Sequence, residues 1–172
     1  MATNNSAAIL DLIRANAQKL RAEQEEANSV DWSARRSWWQ QEIQKLYGDL
    51  GEVLRPLAES GDLQISRRPQ TIHEESLGQY ETEALELSIG RRSVVLKPIG
   101  SVIIGGVGRI DLLGPEGTAR LILATPDGQG DREYKTNAKW HVTAPSRPLP
   151  LAEMDDKTFL ELFAQLIGIR GE

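Results

Sequence analysis

Asp111, Glu133 and Lys135 are the residues of this chain whose types could cleave a phosphodiester. An aspartate on one strand and a Glu-x-Lys triplet on its neighbour can hold a divalent cation between carboxylates, while the lysine helps to activate a water molecule. Glu133-Tyr134-Lys135 supplies such a triplet. The surrounding pattern argues against that use. The strand expected to pair with the one bearing Asp111 runs from Ala119 to Ala124 and carries no acid, and Glu133 falls in a polar stretch without periodicity. Asp111 has a simpler reading as a solvent-face residue paired with Arg109 or Arg120, an interaction worth little at a surface.

Other chemistries have still less to work with. Gly105-Gly106-Val107-Gly108 has the glycine content of a phosphate loop, but a strand pattern follows it where phosphate loops need a helix N-terminus, so a bulge or a close backbone approach is expected. His73 and His141 are far apart in sequence, and with no cysteine a zinc site would have to be completed by carboxylates. No serine stands in a Gly-x-Ser-x-Gly context. Neither a metal nor a cofactor is expected.

Three basic pairs, Arg35-Arg36, Arg67-Arg68 and Arg91-Arg92, could contact nucleic acid if the fold brought them together, with Trp38-Trp39 adding aromatic surface beside the first. A formal charge of -5 opposes a broad electrostatic grip on phosphates. The absence of cysteine also removes disulfides and thiolate nucleophiles, and suits a reducing cytoplasm. No apolar run approaches the roughly 18 residues of a membrane span, and Met1 to Asn5 lacks a signal-peptide layout, so a cytoplasmic protein without membrane contact is expected.

The elements that would position these residues are arranged around Ala84 to Ala124. Leu85, Leu87 and Ile89 alternate with polar residues, Val94 and Leu96 resume after Gly90-Arg91-Arg92, and the two runs read as a hairpin. A second hairpin runs from Val107 through Gly114-Pro115-Glu116-Gly117 to Ala124. Before this stretch, two short strands around Leu63 to Ile65 and Ile72 are separated by Arg67-Arg68-Pro69, whose proline and charge suggest a sheet edge. After it, Thr125 to Asn137 reads as a loop, Lys139 to Thr143 as a strand, and the run with Pro145, Pro148 and Pro150 as a surface crossing.

Helices flank the strands. Ile9, Ile13, Ala17 and Leu20 mark a helix from Ser6 to about Ala27. Trp39, Ile43, Leu46, Leu50, Val53 and Leu57 form a heptad-like seam on a second helix, which Pro56 should kink or end. Phe159, Leu162, Phe163, Leu166 and Ile167 carry the stripe of a last helix lying on a sheet, capped by Asp155 or Asp156 and stopped by Gly168.

Helices, then strands, then one helix imply an α+β fold: an N-terminal helical hairpin over residues 1–60, then a small antiparallel sheet built of hairpins with a C-terminal helix packed on it over residues 61–172. The function expected of such a chain is non-catalytic contact with another protein, as an accessory subunit or an inhibitor of a cognate toxin or nuclease, or with a second copy through the N-terminal helices. The seam of the second helix could serve the chain's own core or present Trp38, Trp39, Ile43, Leu46, Leu50 and Val53 to that partner. A metal-dependent nuclease built on Asp111, Glu133 and Lys135, and nucleic-acid binding through the arginine pairs, are the alternatives.

Overall fold

The computed structural model describes residues 3–126, 134–135, 137–144 and 147–171. The chain divides into two compact units, Met1–Asp31 and Trp32–Glu172. The first holds α1 (Thr3–Asn28), a helix uninterrupted by glycine or proline and rich in alanine, the best helix former. The second holds α2 (Trp32–Glu59), seven strands and α3 (Asp156–Ile167). Ser60, where the sequence places a boundary, stands at the turn from α2 into the sheet.

The sheet is an antiparallel meander whose spatial order follows the sequence: β1 (Gln64–Glu74), β2 (Gly78–Ile89), β3 (Arg92–Gly100), β4 (Gly108–Gly114), β5 (Gly117–Ala124), β6 (Lys139–Ala144) and β7 (Arg147–Glu153). Two expectations are corrected here. The two short strands near the start are one strand, continuous through Arg67-Arg68-Pro69, and the proline-rich run is a strand rather than a crossing. Both are edge strands, paired on one side only, where a missing backbone donor is tolerated.

One face of the sheet carries the core. Gly108, Ile110, Leu112 and Gly114 alternate onto the same face of β4, and a Cβ on Gly108 would strike the Trp39 ring of α2 while one on Gly114 would strike Leu166 of α3. Both helices therefore cover the same face. Cross-strand neighbours continue it through Leu85 and Leu87, Val94 and Leu96, Ala119, Leu121 and Leu123, all buried. The opposite face presents Glu86, Lys97, Asp111, Arg120 and His141, as the alternation requires.

The α2 seam packs onto this core, with Trp39, Ile43, Leu46, Tyr47, Leu50 and Leu54 all buried. The Tyr47 hydroxyl donates to the Glu83 carbonyl at 2.7 Å, and its burial raises the phenol well above the usual range. Rather than stopping at Pro56, α2 runs one further turn to Glu59, where the Leu57 carbonyl accepts from the Leu63 amide at 3.0 Å.

At α3 the expected signals are in place. Asp155 accepts from the Thr158 amide at 2.7 Å as N-cap, and Gly168 adopts φ +89° and returns its N–H to the Ala164 carbonyl at 3.1 Å. Its last turn is tied to the sheet by Arg92, which donates to the Ile167 carbonyl at 3.1 Å, and by the Glu116 amide, which donates to the Leu166 carbonyl at 3.0 Å.

Along β2 the buried face changes, from Leu85 and Leu87 to Tyr80 and Thr82, although the pairing with β1 has no register shift. Only residues from Leu85 onward pair with β3, and the remaining two-stranded ribbon is free to twist more strongly than a multi-stranded sheet. Its other face is turned inward, placing Tyr80 beside Ile72 in the core and its hydroxyl on the Glu74 carboxylate. The same carboxylate accepts from the amides of Ser101 at 2.9 Å and Val102 at 3.0 Å, which anchors the chain where it leaves β3.

Candidate interaction surfaces

Asp111 stands mid-strand in β4 on the uncovered face, its two oxygens accepting from Nε and Nη2 of Arg109 at 2.7 and 2.8 Å. Its cross-strand neighbour is Arg120. The carboxylate is thus engaged by one of the two arginines expected for it, Arg109, a geometry suited to a surface ion pair. Glu133 lies outside the described residues. Lys135 is exposed, with its ammonium 5.6 Å from the Tyr134 ring. Among the described residues, no group of three or more histidines and acids could hold a metal ion.

The glycine segment makes the close approach that its pattern suggested. Ile103 and Gly106 form an isolated bridge, Gly105 has φ +83°, and a Cβ on Gly106 would fall 2.7 Å from the Leu123 carbonyl oxygen. A compact turn packed on β5 results. His73 is exposed in β1, and His141 in β6 places Nδ1 2.8 Å from the Lys139 carbonyl.

The arginine pairs sit on three separate elements. Arg35 is fully buried, its Nε donating to the Ser101 hydroxyl at 2.7 Å and its Nη2 to the Ser101 carbonyl at 2.9 Å. It lies 4.8 Å from the centre of the Tyr134 ring, which itself packs against Trp38. This guanidinium ties the start of α2 to the end of β3. Arg36 donates to the Leu77 carbonyl at 3.3 Å, Arg67 bonds Gln44 and Glu83, Arg68 pairs with Glu86, and Arg92 holds the end of α3. Arg91 is exposed in the β2–β3 turn.

Of the residues read as a contact surface, Trp39, Ile43, Leu46 and Leu50 are buried in the chain's own core, and Trp38 and Val53 are half-buried. Periodicity marks a stripe that must be covered without saying by what, and on α2 the cover is the sheet. The exposed apolar side chains concentrate on α1, where Ile9, Leu10, Leu12, Ile13 and Leu20 are 51–64% exposed. The spacing of Ile9, Ile13 and Leu20 made that stripe legible. What spacing could not convey is that the aromatic stripe is covered within its own unit.

No helix of the described residues is long and apolar enough to cross a membrane. Comparison with protein-family models, with curated proteins and with solved structures finds no match to this chain.

Proposed function

We propose that this chain is a non-catalytic protein-interaction module that presents α1 to another protein, as an accessory subunit or as an inhibitor of a cognate toxin or nuclease. The observation carrying the reading is the apolar stripe exposed on α1. At helical spacing Ile9, Leu10, Ile13, Ala17 and Leu20 fall within an arc of about 100°, with Arg14 and Arg21 along one border. Such a face suits an apolar groove with an acidic edge.

Twelve residues, from Ile9 to Leu20, span about 18 Å of helix. That is fewer than the three heptads that sustain a coiled coil, so a groove on a different protein fits better than self-pairing. The exposed fractions of Ile9, Leu10, Ile13 and Leu20 together equal a little over two whole side chains. Burying them yields about 3–7 kcal/mol before the costs of association, enough to anchor a complex that polar contacts complete. The compartment assigned is the reducing cytoplasm, on the absence of cysteine.

The test is affinity purification of the full-length chain from its native host, with light scattering of the purified protein. A monomer that captures one stoichiometric protein is expected. Leu10→Ser with Leu20→Ser should abolish capture without lowering the unfolding temperature. A wild-type dimer, or undiminished capture by the double variant, would refute the proposal.

A further inference from the structure

A groove of about 300 Å³ lies between the middle of α2, the start of β6 and the entry to α3. Its floor is apolar: Leu50 and Phe159 are buried, and Val53 and Trp140 half-buried. Its rim is acidic, carrying Asp49, Glu153, Asp155 and Asp156 against one cation among the described residues, Lys139.

These carboxylates are differently engaged. Glu153 pairs with Lys139 at 3.4 Å, and Asp155 is committed to the α3 cap. Asp49 and Asp156 form no ion pair among the described residues. A concave apolar floor edged by carboxylates complements an aliphatic side chain with a cation beside it, and the half-buried Trp140 lines the same groove.

We propose that this groove is a second docking site, for a segment of a partner protein that carries lysine or arginine beside aliphatic side chains. The site belongs wholly to the second unit and does not depend on α1. The rim supplies attraction and orientation, while the half-buried Val53 and Trp140 supply the apolar area.

The test uses fluorescence anisotropy of the full-length chain with two labelled probes, a twelve-residue Leu/Lys amphipathic peptide and its Leu/Glu counterpart. The Lys peptide should bind at least tenfold more tightly. Asp49→Asn with Asp156→Asn should weaken it at least fivefold. Two control variants should each change it less than twofold: Glu75→Gln with Glu116→Gln, which removes the same charge elsewhere, and Leu10→Ser with Leu20→Ser on α1. Equal binding of the two peptides would overturn the proposal, as would equal losses in the groove and charge-control variants, which would reduce the effect to attraction by an acidic protein, or a loss confined to the α1 variant.

Discussion

Replacing Gly108 with alanine tests the packing of α2 on the sheet with a single methyl group. A Cβ there would lie 2.9 Å from both Cε3 and Cη2 of Trp39 and closer still to Cζ3, where carbon atoms ordinarily meet at about 3.5–4.0 Å. The indole would have to retreat by about 1 Å, yet it is fully buried with the Trp140 ring 6.1 Å away. Overpacking of a tight core costs about 1–3 kcal/mol, and a ring held this firmly places Gly108→Ala at the upper end. For a domain of this size the unfolding temperature should fall by about 6–12 °C. Urea unfolding followed by tryptophan emission measures the loss, and Trp39→Phe in the same chain should recover part of it, because a smaller ring relieves the overlap. A Gly108→Ala protein within about 0.5 kcal/mol of the wild type would show that Trp39 does not press on β4 and that α2 is not seated on that face there.

Other substitutions have equally definite outcomes. Gly48→Ala and Gly51→Ala meet nothing within 4 Å in α2, so each should stabilise by about 0.5–1 kcal/mol in the same urea assay. Ser101→Ala removes the acceptor for Arg35 and the donor to the Val107 carbonyl in a buried site, and should cost about 1–3 kcal/mol by thermal melting. The Asp155 carboxyl is held below its usual range chiefly by the Thr158 amide, so its contribution is present above the unfolded pKa and is lost as pH falls through the lower folded value. Asp155→Ala should therefore lower the melting temperature at pH 7, with the difference vanishing in acid. The phenols of Tyr47 and Tyr80 are raised, the first mainly by burial and the second by burial and then by the bond to Glu74. Their stabilising contribution is full below the unfolded value of about 10 and declines as pH climbs past it. Absorbance titration at high pH should show both phenols ionising only as the protein unfolds.

Local pattern and three-dimensional arrangement were unequally readable from the residues. The α3 stripe from Phe159 to Ile167, with Asp155 before it and Gly168 after it, is local information and appears as read. The hairpin around Gly114–Gly117 is likewise local. β7 was not legible because Pro148 and Pro150 are compatible with a strand only at a sheet edge, and edge status depends on strands elsewhere. The inward turn of Tyr80 was hidden for a related reason, since it follows from where β3 stops pairing with β2. Candidate surfaces suffered most. Asp49 and Val53 meet Trp140 and Phe159 across about ninety residues of sequence, a juxtaposition that no spacing rule records.

Strand order identical to chain order has a bearing on how this protein is made. As the chain leaves the ribosome, each strand after β1 finds its template already extruded, and no pairing waits beyond the next strand in the chain. The late step is the seating of α2, synthesised first among the packed elements but dependent on β2 through β5 for the surface that receives Trp39 and Leu54. Until those strands assemble, the aromatic seam has no surface to pack against.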